Sequence, residues 1–139
     1  QIPLQRIAYN AIPSVVYTNP EIACIGLTEK DLNEIKEGDF APSMSTDEPF
    51  VPYEVHKLPM TFSGRFVAEN EGEMGLCKVI VDKRSKTIIG VHMIGNPCSE
   101  FVAAASFAVR MGYTVGEFKQ VVFPHPTVGE VLREVIMEA

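Results

Sequence analysis

Leu76-Cys77-Lys78-Val79-Ile80-Val81, then Asp82-Lys83-Arg84-Ser85-Lys86, then Thr87-Ile88-Ile89-Gly90-Val91-His92-Met93-Ile94-Gly95: two runs rich in β-branched residues are joined by five charged or polar ones. This is the pattern of an antiparallel hairpin, and it makes a sheet the centre of the fold. Upstream, the alternation of Tyr53, Val55 and Lys57 with Glu54, His56 and Leu58 predicts a strand over 53–62, which Ser63-Gly64 breaks before a short irregular or helical piece carrying Phe66 and Val67. Ser14 to Thr18 predicts a further strand closed by Asn19-Pro20, with Glu21 to Gly26 as a tight connection. Downstream, Asn96-Pro97 reads as an N-cap and first-turn proline for a helix over Cys98–Met111, ended by Gly112. Phe101 to Ala105 and Phe107 to Val109 make that helix apolar on nearly every side. It is expected to be buried all round, and in so small a chain this favours a subunit interface.

Two amphipathic pieces complete the pattern. Thr28 opens a short surface helix running to about Glu37 and ended by Gly38, with Asp31 as its capping acid. Val128, Val131, Leu132, Val135 and Ile136 recur at i, i+3, i+4, i+7 and i+8, one stripe of a C-terminal helix. The fold class expected is α+β, an antiparallel sheet of about four to five strands with helices packed on one face. Residues 1–12 read as a lead-in from another domain or the surface, and 13–139 as one domain interrupted by an irregular loop at 38–52.

At 139 residues the chain holds a single core. No apolar run is long enough to span a bilayer. A net charge of −6, with no basic cluster beyond Lys83-Arg84, argues against nucleic acid as a partner. Cys24, Cys77 and Cys98 have neither redox nor metal spacing, so they are read as reduced core thiols, with no metal site and a cytoplasmic location expected. The chain begins at Gln1 inside what reads as a connecting segment and is expected to be part of something longer.

The chemistry concentrates at Phe123-Pro124-His125-Pro126-Thr127-Val128-Gly129-Glu130. His125 lies between two prolines, which hold its backbone out of helix just before one begins. Glu130, five residues on, can reach back to the imidazole, and a histidine steadied by a carboxylate is a base suited to proton transfer near neutral pH. Yet Thr114-Val115-Gly116-Glu117 and Thr127-Val128-Gly129-Glu130 are the same tetrapeptide, and each fits a capping box. Glu130 therefore reads equally as a helix cap, and one acid is not expected to satisfy both partners fully. His56 and His92 sit on strands with no acid at a useful spacing and read as packing or surface residues. Neither a phosphate-binding glycine motif nor a nucleophile elbow occurs.

Asn19-Pro20-Glu21-Ile22-Ala23-Cys24-Ile25-Gly26, the Gly75–Gly95 stretch and His125-Pro126-Thr127 with Glu130, in this order, resemble the C-terminal interface domain of the flavin-dependent pyridine nucleotide-disulfide oxidoreductases. The resemblance spans residues 11–139, is nearest to the dihydrolipoamide-oxidising members, and implies that residues 1–12 are a linker from a nucleotide-binding domain outside this chain. It implies that His125 and Glu130 form an acid/base dyad reaching the active site of the partner subunit in a homodimer. It also implies a cis His125-Pro126 bond, with the backbone of both residues toward the partner subunit's flavin. FAD and NAD would belong to the full-length enzyme and a lipoyl-bearing protein or small dithiol would be its substrate, while this chain alone should bind neither cofactor and should tend to associate. Two departures stand out: Phe123-Pro124 replaces a common His-Ala pair, and the 38–52 segment is longer than usual. A glutathione reductase-type enzyme, or an interaction module with no catalytic role, remains the alternative.

Overall fold

The computed structural model describes residues 7–34 and 52–139 of the chain. The expected hairpin forms β4 (Leu76–Asp82) and β5 (Ile88–Ile94), paired antiparallel with a register shift at Ile80/Val81. They are the middle of a five-stranded sheet of order β1-β2-β5-β4-β3, antiparallel throughout. β1 is Ser14–Val16, shorter than the expected 14–18. β3 is Tyr53–Pro59, after which Met60–Phe62 forms a single 3-10 turn instead of continuing the strand to 62. α1 (Glu29–Glu34) starts behind its Thr28–Asp31 cap. Its expected end at 37–38 and nearly all of the 38–52 loop lie outside the described residues.

β2 (Ile22–Gly26) is the principal correction, because the segment expected to be a tight connection pairs with both β1 and β5. Its polar/apolar alternation is hidden: Ala23 and Ile25 enter the core while Ile22 and Cys24, on the other face, are apolar as well. Gly26, at φ 76°, turns the chain out of β2, and a Cβ there would lie 2.2 Å from the Ile89 carbonyl oxygen. Close approach of backbones, not hydropathy, fixes this corner.

The sheet face carrying Ala23, Ile25, Cys77, Val79, Val81, Val91 and Met93 forms the main core with α3 (Cys98–Met111) and α5 (Glu130–Met137). The opposite face holds a smaller cluster in which Leu32 of α1 meets Ile80 and Ile89. The stripe read from sequence is the buried face of α5: Val128 is 5% exposed, and Val131, Leu132, Val135 and Ile136 are inaccessible. At about 1.5–3 kcal/mol for each such side chain, this burial far outweighs helix propensity in fixing where α5 begins.

α3 has the predicted limits, and Gly112, at φ 66°, caps its C-terminus. Within the single chain Cys98, Val102, Ala105 and Ala108 face the core, while Phe107 and Met111 are 68% and 65% exposed, leaving an apolar face on the surface. One expectation about the helix fails: Asn96 does not cap it. The Asn96 amide oxygen accepts from Glu21 N–H at 2.9 Å, and its nitrogen donates to Asn19 Oδ1 at 2.5 Å. The Glu21 carboxylate instead accepts the Ser99 N–H of the first turn at 3.0 Å, a capping role filled from 78 residues away. The Asn19-Pro20 and Asn96-Pro97 bonds are both cis and sit at this junction.

Residues 7–12, within the segment read as a lead-in, include a 3-10 turn at Tyr9–Ala11 that packs beside α3. All three cysteines are free. Burial pushes the Cys77 thiol up to about 12 and the Cys98 thiol up to about 11, so both are protonated at neutral pH and neither is a nucleophile.

Candidate active site

Helix α5 positions the site. Val128, buried immediately before the helix, fixes the chain against the core, and the residues before it rise to the surface. His125 stands there with its side chain 82% exposed, on a turn whose His125-Pro126 bond is cis.

Glu130, the first residue of α5, turns its carboxylate back along the chain. Oε1 lies 2.7 Å from His125 Nδ1, and Oε2 accepts the Thr127 N–H at 2.7 Å. One carboxylate thus satisfies both candidate partners, one with each oxygen, contrary to the expectation that it could not. The Thr127 N–H first, and then the histidine, hold the Glu130 carboxyl below the ordinary glutamate range despite its partial desolvation. The helix N-terminus also favours its ionised form. An ionised Glu130 makes Nδ1–H the donor, which leaves Nε2, on the exposed side of the ring, as the nitrogen able to take or give a proton.

The twin tetrapeptides diverge here. Thr114 and Glu117 form a complete capping box at the start of α4 (Val115–Phe118), with Thr114 N–H donating to Glu117 at 2.8 Å and Glu117 N–H to the Thr114 hydroxyl at 3.2 Å. In the second copy the Thr127 hydroxyl donates to the Pro124 carbonyl at 2.8 Å, so only half of the box remains. That bond closes the 124–127 turn on itself. Identical residues are used differently: the Thr127 hydroxyl turns to Pro124, and His125 takes the carboxylate oxygen that the Thr114 box does not use.

The other histidines lie apart from this turn. His92 Nε2 is 2.9 Å from the Leu27 carbonyl, and burial lowers its pKa. His56 does have an acid nearby, since Glu54, two residues back on the same side of β3, approaches it to 3.5 Å. Spacing i, i+2 is a contact distance on a strand, which the sequence reading passed over. No cluster of three or more metal-ligating side chains occurs among the described residues. Sequence reasoning also missed Ser63, whose hydroxyl reaches the Thr127 carbonyl from 64 residues away. Nothing in its own neighbourhood signals that bond.

A core of sheet and two helices presenting a carboxylate-held histidine on an exposed turn defines a class of domain, and comparison with known families gives the same class. The family model for the pyridine nucleotide-disulphide oxidoreductase dimerisation domain matches residues 12–136, and the chain belongs to this family. Among curated proteins, it is 36% identical over 134 residues to the mitochondrial dihydrolipoyl dehydrogenase of Caenorhabditis elegans, covering 96% of this chain and 24% of that protein. It is 32% identical over 142 residues to dihydrolipoyl dehydrogenase 3 of Pseudomonas aeruginosa, covering 97% and 27%. The chain thus spans about a quarter of the length of these relatives. The fold matches LpdA from Mycobacterium tuberculosis with a TM-score of 0.78 at 21% identity, over 97% of this chain and 26% of that one. It also matches the HOCl-induced flavoprotein disulfide reductase RclA from Escherichia coli, with a TM-score of 0.73 at 20% identity, over 91% and 26%.

The residues of this chain fit an edge contact with a cofactor, not its enclosure. His125 and Pro126 are exposed residues, and no hydrogen bond to the His125 carbonyl occurs among the described residues. No glycine-rich loop able to cradle a diphosphate occurs in the sequence.

Proposed function

We propose that this chain is the dimerisation domain of a dihydrolipoamide dehydrogenase-like flavoenzyme, and that His125 and Glu130 form the acid/base dyad of the partner subunit's active site in a homodimer. The single observation that carries the reading is the 2.7 Å contact of Nδ1 with an ionised carboxylate on a ring that is otherwise 82% exposed. Such a ring has no packing purpose. It is oriented and presented, and an acceptor nitrogen facing outward suits a reacting group that belongs to another surface.

Dithiol oxidation supplies a use for it. A thiol attacks a disulfide only as its thiolate, so a base must take the first proton. Nε2 removes that proton, the thiolate bonds to one sulfur of a redox disulfide in the remainder of the enzyme, and the other sulfur leaves with its electron pair. The second substrate sulfur then closes the substrate disulfide and releases the enzyme dithiol, its proton also passing through the site. Glu130 holds the imidazolium formed in between and fixes its orientation. FAD, bound by the rest of the enzyme with His125 and Pro126 backbone at its edge, would carry the electron pair to NAD. The balance is a dithiol and NAD+ giving a disulfide, NADH and a proton.

Relatives named dihydrolipoyl dehydrogenase support the lipoyl dithiol, free or protein-borne, as substrate. The test is a substrate panel on the full-length enzyme. Dihydrolipoamide with NAD+ should turn over at least about 100-fold more efficiently than glutathione disulfide with reduced pyridine nucleotide. The reverse preference would move the chain to the glutathione reductase-type enzymes.

A further inference from the structure

The histidine turn is held mostly by itself. Thr127 N–H goes to Glu130, the Thr127 hydroxyl goes to Pro124, and His125 goes to Glu130, all within 124–130. Beyond the two bonds to Glu130 at the start of α5, one hydrogen bond among the described residues ties residues 124–127 to another element: Ser63 Oγ–H donates to the Thr127 carbonyl at 2.9 Å. Ser63 is 2% exposed, one of few buried polar residues in the chain. It is also the N-cap of α2 (Gly64–Glu69), accepting the Phe66 N–H at 3.2 Å. Its hydroxyl therefore has its proton and a lone pair committed in opposite directions, one toward the histidine turn and one toward a helix. Phe66, the residue whose N–H it receives, is inaccessible in the core. A buried hydroxyl with both bonds made is costly to unmake from either side.

We propose that Ser63 is a positioning residue for His125. It acts through the Thr127 carbonyl, coupling the exposed histidine turn to the rigid start of α2. The inference rests on the acid/base reading of His125. A ring that is 82% exposed has little packing to fix it, so its placement depends on its backbone and on Glu130. Thr127 carries both, since its N–H meets the same carboxylate that holds the ring. Freeing the Thr127 carbonyl lets the turn shift as a unit, with the dyad intact but misaimed. A misplacement of the order of 1 Å is enough to cost about 10²-fold in a proton-transfer step.

The test is a double-mutant cycle in the full-length holoenzyme, reading turnover of dihydrolipoamide with NAD+. Ser63→Ala should lower kcat about tenfold or more with KM changed less than about twofold, because transition-state geometry and not binding is lost. In a His125→Gln background the same substitution should cost less than about twofold, since there is no base left to misplace. An equal loss in both backgrounds would overturn the proposal, as it would mark a general effect on folding or cofactor content. Ser63→Thr supplies the second variant: threonine caps helices well, suits the extended backbone at φ −89° and ψ 118°, and keeps the donor. It should restore kcat to within about threefold of the parent; a threonine variant as impaired as the alanine one would show that the hydroxyl is not the acting group. If His125→Gln itself leaves turnover unchanged, the acid/base reading fails, whereas a damaging His125→Gln beside a harmless Ser63→Ala overturns the Ser63 inference alone.

Discussion

Replacing His125 by glutamine in the full-length enzyme is expected to lower dithiol-driven reduction of NAD+ by about 10²–10⁴-fold, the usual contribution of a positioned general base. The ring is 82% exposed and makes its one hydrogen bond to Glu130, so thermal stability should change little. Selectivity makes the result informative. Oxidation of NADH by an artificial acceptor that takes electrons directly from the flavin moves no thiol proton, and it should keep most of its rate. Steady-state assays of both reactions on one preparation separate the two cases. Equal loss in both would mean that the substitution disturbs cofactor or assembly, and no loss in either would leave His125 as a turn residue.

Glu130→Gln has the next largest effect, and Glu117→Gln is its internal control. Glutamine can still accept one hydrogen bond at position 130, but it cannot stabilise an imidazolium or hold Nδ1–H and the Thr127 N–H with two equivalent oxygens. Turnover should fall by about 10²-fold, and stability by about 0.5–2 kcal/mol as for other lost caps. Glu117 has the same sequence context and a complete capping box but no histidine, so its variant should lower the melting temperature slightly and leave turnover within about twofold. Both carboxyls titrate below their ordinary value of 4.5. A depressed pKa contributes stability above the unfolded value that is lost as pH falls through the folded one, so the stability deficit of each glutamine variant should shrink below about pH 4.5. Comparing melting temperature and turnover for the two variants checks this. Equal, small effects on turnover would reduce Glu130 to a cap.

The parts legible in the sequence are those where one residue type has one use. The 76–95 hairpin, the limits of α3 and the buried stripe of α5 follow from periodicity and from Gly112, and the Thr114–Glu117 box follows from spacing. The approach of Glu130 to His125 was open to inference for the same reason, being local. β2 escaped because both of its faces are apolar, which erases alternation. The cap of α3 escaped because its acid, Glu21, arrives from the residue before β2, while Asn96 bonds Glu21 N–H and Asn19 instead. Ser63 escaped for that reason too: beside its local cap bond to Phe66 N–H, its bond to Thr127 spans 64 residues, and no local pattern encodes that one. Local chemistry can be read along the chain, whereas bonds between distant segments become visible only once the sheet has brought them together.

The central claim is that this domain lends His125 to the active site of the partner subunit. Heterodimers that pair a full-length His125→Gln subunit with a subunit lacking a redox cysteine test it most directly. If His125 acts across the interface, each heterodimer holds one competent site and one doubly defective site, so mixing two nearly inactive parents should restore dihydrolipoamide-dependent NAD+ reduction. Mixed dimers as inactive as both parents would place His125 in its own subunit's site and contradict the account.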